Sequence, residues 1–152
     1  MLSGVGAWVV GAMSVVRNPD TSSSTTSQNQ GRRMATILLA EDNDDLRSTI
    51  RVRLEAYQHR VVEAADGVEA IHWWQSLTLD LLITDFSMPR MNGQEVIQVV
   101  AAQQPALPII LMSGGMEEHV LLCLLHRFPS VRYLPKDVLS SHLREYVRDA
   151  LT

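Results

Sequence analysis

Cysteine and lysine are almost missing from this sequence. Cys123 stands alone among 152 residues, which excludes a disulfide framework and any zinc or iron–sulfur site built from several cysteines. A bilayer-spanning apolar run is missing too. Leu2–Val16 is apolar and glycine-bearing, but at about 1.5 Å per residue a helix of that length falls short of the ~30 Å hydrocarbon core. No basic n-region precedes it, as a signal peptide would require. Excess positive charge is absent: the net charge is −4, so no nucleic-acid partner is expected. His72, His119 and His126 show no spacing suited to a metal, and no internal repeat is present.

What remains is an ordinary globular composition, 46% hydrophobic and 20% charged, with a mean hydropathy near zero. The length suits one domain with a core large enough to need no covalent staple. Charge is spread unevenly. Residues 1–33 carry Arg17, Arg32 and Arg33 against Asp20, a net +2, leaving −6 for the rest. Asn18–Gln30 is a low-complexity polar linker that buries too little surface to fold. Residues 1–33 are therefore expected to be a disordered tail or a start called too early, with a weak membrane anchor as the alternative for Leu2–Val16. The folded unit is expected over 34–152. Twelve of the 13 basic residues in the whole chain are arginine; the one lysine is Lys136.

Within 34–152, short apolar runs alternate with segments of helical period. Thr36–Ala40, Arg60–Ala64, Leu81–Thr84, Pro108–Met112 and Val131–Leu134 read as strands. Between and after them, Leu46, Ile50, Leu54 and Tyr57, then Val68, Ile71 and Trp74, then Val96, Ile97, Val100 and Ala101 mark inner helix stripes. A fourth helix is expected over Glu117–His126, and Leu143, Tyr146, Val147 and Ala150 mark the last. Five β-then-α units predict a doubly wound parallel sheet covered on both faces, a three-layer α/β/α fold. The strands lack alternation, as expected when both faces are buried. Function in such folds gathers beyond the carboxyl ends of the strands.

Those ends carry a short list of chemical groups. The first strand runs into Glu41 and Asp42 (E-D-N-D-D), the third into Asp85, the fourth into Ser113-Gly114-Gly115, and the fifth into Lys136. Converging carboxylates repel and raise one another's pKa unless a cation lies among them. An all-oxygen donor set suits Mg²⁺, often completed by phosphate oxygens. A lysine nearby acts as a point charge for a phosphoryl group, and Ser113 can donate to one. Asp85, as the central acid, is the candidate nucleophile for an acyl phosphate. Asp44 and Asp45 are better read as helix-start acids that favour the dipole.

Over about Thr36–Leu151 the chain resembles the receiver domain of two-component response regulators, the CheY-like family. The resemblance rests on Glu41–Asp42, A-D-G-V-E-A from Ala65 to Ala70, D-F-S-M-P-R-M-N-G from Asp85 to Gly93, Ser113, and Y-L-P-K from Tyr133 to Lys136. It implies a flavodoxin-like sheet of strand order 2-1-3-4-5. It also implies that Asp85 is the phosphoacceptor, served by a sensor histidine kinase or a histidine phosphotransfer protein. Glu41, Asp42, Asp85 and the backbone carbonyl of Ser87 would hold Mg²⁺. Lys136, Ser113 and Tyr133 would form the phosphoryl-binding and switch set, resetting contacts to a downstream protein on the face of helix four, strand five and helix five. Such a protein is cytoplasmic, no membrane partner is expected, and it is no enzyme beyond its own aspartyl phosphorylation and dephosphorylation. The alternative is a protein-binding module of the same fold that partners switch without phosphorylation. One departure stands out: the family usually follows its lysine with proline, whereas Asp137 follows here and Pro135 precedes.

Two further expectations concern the fourth helix. Val120–Leu125 (V-L-L-C-L-L) covers the whole helix circumference, so either the helix is sunk between loops or its outer face joins a partner, a homodimer through helix four being one form. Cys123 is expected to be a packed core residue, and Trp73 and Trp74 to divide between core and surface.

Overall fold

The computed structural model describes residues 33–152; Leu2–Val16 and the linker Asn18–Gln30 lie outside the described residues. Residues 34–152 form one compact unit. Its elements run β1 (Thr36–Ala40), α1 (Asp44–Ala56), β2 (Arg60–Ala64), α2 (Gly67–Ser76), β3 (Leu81–Asp85), α3 (Gly93–Gln103), β4 (Ile109–Ser113), α4 (Glu118–Arg127), β5 (Val131–Pro135), a 3₁₀ turn (Lys136–Val138) and α5 (Leu139–Ala150). The strands form one parallel sheet of order β2-β1-β3-β4-β5. The order and the three layers are those the sequence reading expected.

Strand position explains strand composition. β3 and β4 lie inside the sheet and every residue of both is buried, which is why L-L-I-T-D and I-I-L-M-S show no polar alternation. β2 and β5 are the edges, and they carry the charges not buried in the sheet: Arg60 and Glu63 on one, Arg132 on the other. Two cores flank the sheet. Leu38, Leu82, Ile109 and Leu111 meet Ala70, Val96, Ile97, Val100 and Leu124 from α2, α3 and α4. Ile37, Leu39, Ile83, Ile110 and Met112 meet Ile50, Leu54, Leu139, Leu143 and Val147 from α1 and α5. Alternate residues of each strand thus serve opposite cores, as the two-residue period demands.

The first three helices start where side chains can close their free N–H groups. Asn43 accepts from the Leu46 N–H to cap α1, with Asp44 and Asp45 in the first turn as expected. Asp66 caps α2 through the Glu69 N–H, and Asn92 with Glu95 forms a reciprocal capping box on α3. α4 has no side-chain cap bond and starts one residue later than expected. In α5, Leu139, Leu143 and Val147 recur every four residues on one buried stripe, while Arg144, Glu145 and Arg148 face out.

Two expectations fail. Val68, expected on the inner stripe of α2, is 44% exposed, because that helix packs through its small residues Gly67 and Ala70 and turns Val68 outward. Cys123 is exposed, not packed. With six apolar residues in a row only one sector of α4 can face the sheet; Leu124 occupies it, Val120, Leu121 and Leu125 are half-buried, and Leu122 is 58% exposed. The helix is not sunk between loops. Trp73 and Trp74 are both half-buried; the Trp74 indole donates to Gln104 Oε1 at 2.9 Å.

Candidate functional site

The parallel register brings the expected groups to one rim. Asp85 pairs with Met112, so Ser113 lies one residue further along the neighbouring strand; Ser113 pairs with Pro135, which puts Lys136 one further again. β1 lies on the other side of β3 and hands the chain straight to Glu41 and Asp42. One carboxylate oxygen from each of Glu41, Asp42 and Asp85 falls within 4.8 Å of the others. The acids differ in setting. Glu41 and Asp85 are buried, whereas Asp42 stands at the solvent edge of an open cleft shared with Phe86, Ser87, Met88, Pro89 and Asn92.

Lys136 faces both buried acids. Its Nζ lies 3.1 Å from Asp85 Oδ2 and 3.1 Å from Glu41 Oε2. Burial alone would lower the ammonium's pKa, but the hydrogen bonds and charges of Asp85 and Glu41 outweigh it and hold the group above its ordinary value. Glu41 moves up from the ordinary carboxylate value because it is buried and because Asp85 is beside it; Lys136 and the Asn43 N–H only partly offset this. Despite its short distance to Nζ, Glu41 Oε2 accepts no well-directed hydrogen bond. Among the described residues it and Trp73 Nε1 are the buried side-chain polar atoms left in that state. Two buried acids facing one ammonium, with a third acid at the rim, leave surplus negative charge. A hard divalent cation fits that donor set.

The loop after Asp85 is shaped by contacts that spacing alone did not reveal. A Cβ at Gly93 would collide with the carbonyl oxygen of Asp85, and one at Gly67 would collide with that of Met91. Both motif glycines are therefore demanded by close backbone approach. Arg90 has φ +67°, and the Met91 N–H donates to the Pro89 carbonyl across it at 2.7 Å. A non-glycine residue in that region is strained and is held by its surroundings. Here Arg90 donates from Nε at 3.0 Å and from Nη2 at 2.9 Å to Asp66 Oδ2, tying the acceptor loop to the start of α2.

The remaining expected residues are placed as follows. The Ser113 hydroxyl is buried and accepts from the Gly115 N–H at 3.2 Å. Cβ atoms at Gly114 or Gly115 would meet nothing within 4 Å, so neither glycine is imposed by packing. Ser87 lies exposed in the cleft with Asp42. Tyr133 is half-buried on β5 against the core shared with α2, α3 and α4. Asp137 falls within the 3₁₀ turn that follows β5 directly.

A parallel five-stranded sheet with this acid cluster and lysine at its carboxyl rim defines a class of site before any comparison. The model of the response regulator receiver domain family matches residues 37–148, and the chain belongs to that family. Hybrid signal transduction histidine kinase D of Dictyostelium discoideum is 33% identical over 118 residues, covering 76% of this chain and 8% of that protein. Sensor protein EvgS of Escherichia coli is 33% identical over 118 residues, 72% of this chain and 9% of its own length. The chain thus spans under a tenth of the length of these relatives. Among solved structures, the receiver domain from the hybrid histidine kinase CckA is 31% identical, with a TM-score of 0.64 over 77% of this chain and 99% of that one. TrrA from Thermotoga maritima, solved in complex with Mg(2+)-BeF, is 26% identical, with a TM-score of 0.69 over 78% of this chain and all of its own (100%).

Proposed function

We propose that this receiver takes a phosphoryl group onto Asp85 from the phosphohistidine of a sensor histidine kinase or a histidine phosphotransfer protein. The observation that carries this reading is the convergence of three acid oxygens within 4.8 Å, two of the acids sharing one lysine. Glu41, Asp42 and Asp85, with the carbonyl of Ser87, would hold Mg²⁺, which when bound supplies positive charge opposite the phosphoryl oxygens.

The chain's own groups do the rest. An Asp85 carboxylate oxygen attacks phosphorus, the bond from phosphorus to the donor's imidazole nitrogen breaks, and the imidazole leaves as Asp85 becomes an acyl phosphate. Lys136, already 3.1 Å from Asp85, moves its charge onto the phosphoryl oxygens. Ser113, whose oxygen accepts from the Gly115 N–H, donates its hydroxyl hydrogen to the same group, drawing in the loop after β4. The rearrangement reaches Tyr133 on the adjoining strand and resets the α4–β5–α5 face toward a downstream protein. In this reading the protein is a cytoplasmic switch, not an enzyme acting on other substrates. No helix among the described residues is long and apolar enough to cross a membrane.

Transfer from a radiolabelled phosphohistidine donor tests it. Label is expected to appear on the wild type with Mg²⁺, and to be absent with chelator or in Asp85→Asn. A folded, Mg²⁺-binding protein that takes no label from any donor would favour a partner-switched binding module instead.

A further inference from the structure

We infer that Arg47, on the first turns of α1, is a positioning residue that sets the divergence of the Glu41–Asp42 acid pair. The inference rests on the Mg²⁺ reading above and deepens it. Glu41 must point into the buried rim while Asp42, its immediate neighbour, opens to the cleft; the peptide plane joining them fixes that split. Arg47 fixes that plane: its Nη1 donates to the Glu41 carbonyl at 2.8 Å. The preceding peptide is held separately, its Glu41 N–H donating to the Ala64 carbonyl at 3.0 Å.

Arg47 is itself held at two other corners. Its Nη2 meets Asp44 Oδ1 at 2.8 Å, and its Nε meets Glu63 Oε1 at 3.2 Å. Glu63 is anchored in turn by Arg51 Nε at 3.2 Å. The side chain is only 17% exposed, so it is not a solvated surface charge. A planar fork with donors at three corners can serve a carbonyl and two carboxylates together; a lysine ammonium on a flexible stem cannot hold that geometry. Glu63 belongs to edge strand β2, so the acid pair is braced against a strand that contributes no group to the site. Outer partners that orient ligands commonly change metal affinity by about 10–100-fold when removed.

Electrostatics gives the test its sign. Removing a cation near a metal site should by charge alone tighten Mg²⁺ binding. Loss of positioning should weaken it. The experiment is calorimetric titration of the full chain with Mg²⁺, alongside thermal melts in chelator, for wild type, Arg47→Met, Arg47→Lys, Glu63→Gln and Arg51→Met. Arg47→Met and Arg47→Lys are expected to raise the Mg²⁺ Kd by about tenfold or more. Glu63→Gln should raise it less, and Arg51→Met, which touches Glu63 and Glu55 but not Glu41, should leave it unchanged or slightly lower. Unchanged or tighter binding by folded Arg47→Met or Arg47→Lys would overturn the inference alone. If neither folds, an unaltered Kd in Glu63→Gln would overturn it. A wild type that binds no Mg²⁺ would instead overturn the functional reading, and this inference with it.

Discussion

At the amino end of the sheet, polar groups are closed against each other. The Thr36 N–H donates to Asp80 Oδ2 at 2.8 Å, the Asp80 N–H donates back to the Thr36 carbonyl at 2.9 Å, and the Ala35 N–H donates to His59 Nδ1 at 3.2 Å. At the carboxyl end, Glu41 and Asp85 are buried around a single ammonium, and one oxygen of Glu41 accepts no directed bond. The same sheet is thus finished at one end and left with surplus charge at the other. Buried polar groups are ordinarily satisfied because an unmet one costs about 1–3 kcal/mol; among the described residues Glu41 Oε2 and Trp73 Nε1 are the two exceptions, and the proposed Mg²⁺ site accounts for the first.

Four perturbations break or sharpen that contrast. The largest effect is expected from Asp85→Asn: phosphoryl acceptance should be lost, yet the thermal midpoint in chelator should equal or exceed that of the wild type, because one of two acids crowding Lys136 is gone. Calorimetric melts beside a labelling assay check both halves. Next comes Lys136→Met, which leaves both buried acids without their cation. Removing one partner of a buried ion pair costs roughly 3–5 kcal/mol, and a quarter-exposed lysine should fall at or below the low end of that range. Urea unfolding should show Mg²⁺ restoring part of the loss, which it would not do for a damaged hydrophobic core.

Gly93→Ala should follow, with about 1–3 kcal/mol lost to overpacking against the Asp85 carbonyl, whereas Gly114→Ala should be nearly neutral because its Cβ meets nothing. Equal losses in the two variants would contradict the close-approach argument. The smallest effect lies at the amino end. Burial lowers the His59 pKa from its ordinary 6.5, partly opposed by Asp80, and Nδ1 must stay unprotonated to accept from Ala35. The unfolded chain therefore takes up the proton first. Stability from this contact is full above pH 6.5, falls as pH drops below it, and flattens beneath the folded pKa. The half-exposed ring limits the change to at most about 1 kcal/mol. His59→Asn keeps an acceptor that does not titrate, so its stability curve should lack that segment.

Much of the contrast was legible in the residues. The five β-then-α units, the buried stripes of α1, α3 and α5 and the rim residues Glu41, Asp42, Asp85, Ser113 and Lys136 are where the sequence pattern predicts them, because burial on both faces imposes unbroken apolar strands and because parallel strands deliver their ends to one side. What escaped were partners set by tertiary contact. Arg47 looks like any helical arginine until Glu63, from another strand, is seen to brace it. Arg90 sits in a recognisable motif, but its positive φ and its bond to Asp66 follow from how α2 abuts the acceptor loop. Cys123 was misjudged because a uniformly apolar helix carries no periodic signal of which sector faces inward. A strand boundary also moved: Pro108 cannot donate to a ladder, and β4 runs over Ile109–Ser113.

The most direct test of the central claim is intact-protein mass spectrometry after incubation with a small acyl-phosphate donor and Mg²⁺, with and without chelator. The account predicts a single hydroxylamine-labile phosphoryl adduct on the wild type with Mg²⁺, none with chelator, and none on Asp85→Asn. An adduct that persists in chelator, or in Asp85→Asn, would contradict it.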